Sequence, residues 1–310
     1  MKVLLTGAAG FVGKNIHDYL LKMNYEVFAL SSSKDCDLRD MDTCRRVLQL
    51  SKPDVIVHAA GRVGGIKANS ENPAVFMYDN LCMGMNMIES SNIYCDWAKF
   101  VMLGTVCAYP KYTQVPFKEQ DLWNGYPEET NAPYGIAKKA LMKLTETYNE
   151  QYGMNVVNLI PVNMYGPYDH FNTNSSHVIP ALIMKFIDAK YSGEVVELWG
   201  TGQASREFLY AGDFARAVDL AIQIDTGPEP INIGTGEEIK IVDLANIIAD
   251  KVGYKGEIKF NGKLDGQPRR CLDISRAKSL LGFEAKTSLS EGLDKTIEYF
   301  SGISLDNPAK

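Results

Sequence analysis

The chain is poor in the features that mark several classes of protein. Its six cysteines, Cys36, Cys44, Cys82, Cys95, Cys107 and Cys271, include no CxxC pair and no metal-ligand spacing. At 310 residues this argues against a zinc module and against a disulfide-stapled secreted domain. The cysteines read as free thiols of a reducing, cytoplasmic compartment, and no metal site is expected. No apolar stretch reaches about 18 residues, and Met1-Lys2-Val3-Leu4-Leu5-Thr6-Gly7 meets glycine too early for a secretory leader. Neither a membrane partner nor a signal peptide is expected. Long basic runs are also missing: 32 Lys+Arg against 38 Asp+Glu leave a formal charge of −6, a poor basis for binding nucleic acid. Internal repeats and low-complexity tracts are absent as well.

What remains is 45% hydrophobic and 23% charged, enough for a large core. Val3-Leu4-Leu5 reads as a strand, followed by a glycine turn and a helical pattern at Ile16, Tyr19, Leu20 and Leu21. A second strand spans Glu26 to Leu30, and a helix from about Asp42 leads to the strand Asp54 to His58. Asn72-Pro73 opens a helix that runs to about Cys95, with the strand Lys99 to Leu103 after it. Pro133 and Gly153 bracket a long helix from Asn131 to Tyr152, followed by the strand Val156 to Ile160. This alternation predicts an α/β fold, a Rossmann-type doubly wound parallel sheet over residues 1–165. Past Gly166-Pro167 the alternation lapses. Residues 166–205 and 236–310 are expected to form a smaller α/β lobe that binds substrate, with helices near Val178 to Ala189, Val242 to Val252 and Ser275 to Leu281 and a strand Val195 to Trp199. A segment of about 206–235, carrying the strand Ile231-Asn232-Ile233, returns to the sheet.

Gly7, Gly10 and Gly13 form GxxGxxG directly after the first strand. There the backbone must turn tightly, approach a pyrophosphate closely and open a helix whose N-terminus attracts anions. An NAD site commonly places an acidic residue at the end of the second strand. Here Ser31-Ser32-Ser33-Lys34 offers hydroxyls and a cation, which suits the 2′-phosphate of NADP(H), although Asp35 lies close by. Asp37-Leu38 is placed at the adenine edge. Tyr134 and Lys138 lie four apart on one helix face. A phenol with a pKa of about 10 is a weak acid or base at neutral pH, and a nearby ammonium is expected to favour the phenolate.

With the glycine turn and with Thr105 at the end of an earlier strand, the sequence resembles the extended short-chain dehydrogenase/reductase superfamily. The resemblance makes Thr105, Tyr134 and Lys138 its catalytic triad. Gly64-Gly65-Ile66-Lys67-Ala68-Asn69, Gly104 to Pro110, Asn163 to Tyr168, Ser176 to Leu182, Trp199-Gly200, Arg206-Glu207-Phe208 and Asp265 to Arg269 are similar to the GDP-L-fucose synthase family. That family epimerises carbons 3 and 5 of GDP-4-keto-6-deoxy-D-mannose and reduces carbon 4 with NADPH. The resemblance implies Cys107 and His177 as the epimerisation acid/base pair. It also implies cofactor contacts from Gly7, Gly10, Phe11, Val12, Gly13, Ser31, Lys34, Asp37 and Leu38. Further contacts fall to Ala59 and Ala60, Tyr134 and Lys138, and Pro161, Asn163 and His177. Substrate contacts fall to Asn163, Lys185, Trp199, Arg206 and Arg269, with Lys185, Arg206 and Arg269 as a diphosphate clamp. Trp199 either stacks on guanine or fills the lobe. Two positions depart from the family pattern: Thr105 stands where serine is usual, and Ala9 where the glycine loop commonly carries a basic residue.

Met77, Met83, Met85 and Met87 are expected to give the Pro73 to Cys95 helix an adaptable apolar face. The superfamily pairs this helix and the tyrosine-bearing one in a four-helix bundle, which implies a homodimer. Alternative functions are a 4-keto reductase on a related GDP-keto sugar, such as a 6-deoxyheptose or dideoxyhexose, with partial or no epimerisation, and an epimerase or dehydratase that recycles bound NAD. A third is a regulatory protein that has kept a nucleotide-binding fold without catalysis, against which the retained Tyr134 and Lys138 count.

Overall fold

The structure, a computed structural model, describes residues 1–31, 36–171, 176–262 and 267–306. β1 (Lys2–Thr6), α1 (Phe11–Lys22), β2 (Glu26–Leu30), α2 (Met41–Ser51) and β3 (Val55–His58) open the chain. α3 (Ile66–Glu71) and α4 (Pro73–Tyr94) lead to β4 (Lys99–Leu103), and α5 (Ala132–Tyr152) leads to β5 (Val156–Pro161) and β6 (Asn163–Tyr165). α6 (Val178–Ser192), β7 (Val196–Leu198), β8 (Ser205–Tyr210), α7 (Ala211–Gln223) and β9 (Ile231–Ile233) follow. The chain continues with β10 (Glu238–Lys240), α8 (Ile241–Val252), β11 (Ile258–Phe260), a π-helical turn at Ala277–Leu281 and α9 (Leu289–Asp306).

Among the described residues the main sheet holds six parallel strands in the order β2-β1-β3-β4-β5-β9. Helices cover both faces: α1 packs with α7, and α4 packs with α2 and α5. Strands buried on both faces need near-continuous apolar runs, which Val3-Leu4-Leu5, Val55-Ile56-Val57 and Phe100-Val101-Met102 supply. The order of strands reverses between β1 and β3, so the carboxyl ends of these strands and of β4 open a crevice where ligands bind in such sheets.

Local chemistry sets the helix ends. Asp40 caps α2 by accepting from the Thr43 N–H at 2.9 Å and its hydroxyl at 2.7 Å, worth about 1 kcal/mol. Pro133 lies in the first turn of α5, and Gly153 closes it in the left-handed region at φ +71°.

A second core, including Tyr165, Ile183, Phe186, Leu244 and Ile248, lies among α6, α8 and two small sheets, β10-β8-β6 and β11-β7. The segment expected to return to the sheet divides between the two cores. Ser205–Tyr210 joins the three-stranded sheet, while α7 packs on α1 and β9 pairs with β5.

The four methionines of α4 do not form one face. Met87 is fully buried and Met85 is 42% exposed, because residues two apart on a helix point to nearly opposite sides. No helix among the described residues is long and apolar enough to cross a membrane.

Candidate active site

The glycine turn lies at the switch point, packed as closely as backbone allows. A Cβ at Gly7, whose φ is +69°, would sit 2.7 Å from the Ala60 nitrogen, and one at Gly13 only 2.1 Å from the Gly7 oxygen. Ala59 and Ala60, at the end of β3, thus form the opposite wall of the turn. No side chain caps the N-terminus of α1 and its first turn holds no acidic residue, so its backbone N–H groups are suited to a diphosphate. A Cβ-free cradle at an uncapped helix start fits a dinucleotide.

At the adenine end Ser31 is exposed, and Lys34 lies outside the described residues. Leu38 is buried. The Asp37 carboxylate is held by Arg39 at 2.7 Å, which keeps its pKa below the usual range. Arg39 also reaches Asp79 at 3.1 Å, and Arg62 meets the same carboxylate at 2.8 Å.

Thr105, two residues beyond β4, caps the short 3₁₀ turn Val106–Ala108, its Oγ1 accepting from the Cys107 N–H at 3.2 Å. α5 comes directly against that turn because residue 135 is glycine: a Cβ there would lie 2.3 Å from the Cys107 carbonyl oxygen. Tyr134 is thereby brought beside Thr105 and Cys107. Its hydroxyl shares a hydrogen bond with Thr105 and lies within electrostatic reach of Cys107. Lys138, one turn on, is 4% exposed, and its Nζ lies 3.4 Å from where a Cβ at Gly61 would sit, with Asn80 Oδ1 closer still at 2.9 Å.

The ammonium does not favour the phenolate as the sequence suggests. Burial raises the Tyr134 pKa most, the nearby Cys107 raises it further, and the Thr105 hydrogen bond only partly offsets them. Burial likewise lowers Lys138, to about 8. Both groups have left water, and desolvation favours their neutral forms. Tyr134 is therefore a protonated donor.

Beneath Lys138, His58 is fully buried, its Nδ1 3.1 Å from the Thr6 hydroxyl, which accepts from the Ala60 N–H at 3.0 Å. Burial and the nearby Lys138 push its pKa down to about 3.

Cys107 is half-buried, and its sulfur accepts from the Arg270 guanidinium at 3.7 Å. Arg270 is itself buried, its Nε and Nη2 held by the Gln267 amide oxygen at 3.2 and 3.1 Å. Glu207 fixes the chain that carries it, accepting from the Leu272 N–H at 2.7 Å, with Thr235 and Gly236 as its other backbone donors.

His177 stands at the N-terminus of α6 with its Nδ1 3.4 Å from Asp169 Oδ1. Pro161 is buried at the end of β5. The Asn163 amide donates to the Glu207 carbonyl at 3.0 Å and so ties β6 to β8.

The other expected substrate residues are spread over the lobe. Trp199 is 77% exposed, which excludes a role in filling it. The Lys185 ammonium donates to the Glu197 carbonyl at 3.0 Å, and Arg206 donates to the Ser205 carbonyl at 2.7 Å. Arg269 is turned onto Glu238, and the neighbouring Arg270 is the residue that enters the site. Sequence reasoning missed Arg270, Gln267 and Asp169. The signal for the first was its place next to the Asp265 to Arg269 block, and for the last its place one residue beyond the Asn163 to Tyr168 block.

The chain is similar to known proteins over nearly its whole length. The profile of the NAD dependent epimerase/dehydratase family matches residues 3–234. A GDP-L-fucose synthase of Sinorhizobium fredii is 41% identical over 99% of this chain and 97% of its own. A GDP-L-colitose synthase of Yersinia pseudotuberculosis is 40% identical over 97% of this chain and 98% of its own. Among solved structures, a GDP-mannoheptose C4 reductase of Campylobacter jejuni with NADP bound superposes with a TM-score of 0.87 at 30% identity, covering 97% of this chain and 98% of that one. The chain belongs to the NAD dependent epimerase/dehydratase family, on the branch that carries the GDP-L-fucose synthases.

Proposed function

We propose that the chain converts GDP-4-keto-6-deoxy-D-mannose to GDP-L-fucose, inverting carbons 3 and 5 and then reducing carbon 4 with NADPH. The observation that carries this reading is the placement of Cys107 in the turn that Thr105 caps, where its backbone N–H donates to the Thr105 hydroxyl and its side chain lies within electrostatic reach of Tyr134. A plain reductase needs the hydroxyl pair alone.

The carbon-4 ketone acidifies the protons on carbons 3 and 5, and hydrogen bonds from Tyr134 and Thr105 stabilise the enolate oxygen that forms when one leaves. Inversion requires a proton to be removed on one face and delivered on the other. Cys107 and His177 are the two groups we assign to this exchange, with Arg270 holding the sulfur in place. When bound, NADPH supplies the hydride for carbon 4. Tyr134, kept protonated by burial, gives its proton to the carbon-4 oxygen. Lys138 holds the nicotinamide ribose, and Trp199, Lys185, Arg206 and Arg269 offer the GDP end a ring and cations.

The neighbour titled GDP-mannoheptose C4 reductase favours a second reading, reduction of a related GDP-keto sugar at carbon 4 with partial or no epimerisation. NMR of the product formed from GDP-4-keto-6-deoxymannose and NADPH in heavy water separates the two. Deuterium at both carbons 3 and 5 of a fucosyl product supports the first reading, and a reduced sugar with deuterium at one of these carbons or at neither supports the second.

We further assign the protein to the cytoplasm, in keeping with six free thiols, and to a homodimer through a four-helix bundle of α4 and α5. Val75, Tyr78, Met85 and Ile93 form an exposed apolar stripe along α4, with Tyr152 exposed near the end of α5. A second copy would bury this stripe; light scattering of wild type against Ile93→Asp tests the assignment.

A further inference from the structure

We infer that Asp169 is the positioning residue for His177, its carboxylate holding the Nδ1 proton so that Nε2 is the nitrogen that exchanges protons with the sugar. The inference rests on the reading of His177 as an epimerisation acid/base.

The Asp169 side chain is 1% exposed against 42% for His177, and their Oδ1 and Nδ1 lie 3.4 Å apart. Oδ1 also accepts from the His170 N–H at 2.7 Å, whereas Oδ2 is buried without a hydrogen-bond partner. A buried carboxylate so incompletely satisfied draws the nearest donor that can carry positive charge, and that donor is the His177 ring.

The turn that aims Asp169 inward is held in an unusual shape. Tyr168, just before it, has φ +70°, the left-handed region that a tyrosine seldom adopts. Three contacts keep it there: its hydroxyl donates to Asp18 at 2.8 Å, its ring meets Tyr299 edge-on, and the Lys14 ammonium lies over the ring. Asn15 donates to the Pro167 carbonyl at 2.9 Å. Lys14, Asn15 and Asp18 all belong to α1, the helix that opens at the glycine turn. The helix suited to the cofactor diphosphate therefore also anchors the turn that orients the acid/base.

The proton account closes. As a base, Nε2 takes the sugar C–H proton and the ring becomes an imidazolium whose Nδ1 proton stays on Asp169. As an acid, Nε2 returns a proton to the carbanion and the ring regains its neutral Nδ1–H form.

The test uses the full chain loaded with NADP and reads deuterium entry into GDP-4-keto-6-deoxymannose. Asp169→Asn is expected to slow entry 10- to 100-fold with KM within twofold. On a His177→Asn background it should add less than twofold, because the two residues act through one group. An Asp169→Asn rate within twofold of wild type, or a loss that persists in full on the His177→Asn background, overturns the inference. If His177→Asn itself exchanges at the wild-type rate, the acid/base reading falls and takes the inference with it. Nitrogen-15 NMR of His177 in the unmutated chain is independent of any folding defect: an Nδ1–H tautomer supports the proposal, and an Nε2–H tautomer overturns it.

Discussion

Lys138 is the most direct place to test the electrostatics of the site. Its ammonium is 4% exposed, and burial alone moves its pKa from 10.5 to about 8, with no carboxylate among the described residues to offset it. At about 1.4 kcal/mol per pKa unit, the charged form costs the cofactor-free protein roughly 3 kcal/mol at pH 7. The sign follows from proton counting. Between about pH 8 and 10.5 the unfolded chain holds the proton that the folded chain has released, so stability from this residue rises with pH through that window and is lowest below it. Lys138→Met keeps the stem length and removes the charge. Urea unfolding at pH 7 should show the variant more stable by about 1–3 kcal/mol, a gap that closes toward pH 10.5, while NADPH oxidation is lost. A variant no more stable than wild type at pH 7, or a gap constant across the window, would refute the claim that burial governs Lys138 and, by the same argument, keeps Tyr134 protonated.

Three other perturbations follow from the same structure. His58, with its pKa near 3, stays neutral when folded but charges when unfolded, so stability should fall as the pH drops from about 6.5 toward 3, by roughly 5 kcal/mol at the lower end. His58→Leu should flatten that limb of an acid titration followed by circular dichroism. At the α4–α5 seam, a Cβ on Gly84 would lie 2.3 Å from Leu141 Cδ1. Gly84→Ala should therefore cost about 1–3 kcal/mol in chemical denaturation, and adding Leu141→Val should recover part of it. Arg270→Met removes the guanidinium from the Cys107 sulfur. A hydrogen bond to a charged group is worth about 1.5–3 kcal/mol, so deuterium entry should slow at least tenfold, with Arg270→Lys retaining more of the rate.

The parts of the fold that were legible are those fixed by neighbours in sequence. A glycine every third residue after Val3-Leu4-Leu5 announces a turn with no room for Cβ atoms, and the 2.1 Å clearance at Gly13 is that constraint in space. Pro133 and Gly153 announce the ends of α5 because each acts on its own backbone. The residues that sequence reasoning missed were decided by segments distant in the chain. Whether Arg269 or Arg270 turns inward depends on the bridge between Phe117 and Leu272 and on Glu207 taking the Leu272 N–H, and no local pattern distinguishes two adjacent arginines. Asp169 is aimed by a left-handed Tyr168 that is held from α1, 150 residues away in sequence. The Tyr134–Lys138 spacing carried the geometry of the pair but not its electrostatics, since desolvation depends on what covers both residues. Sequence period thus selects the elements and the faces they share. The charge state and direction of a polar side chain are set by whatever the topology packs over it, so in this fold the acid/base chemistry depends on the three-dimensional structure far more than the framework does.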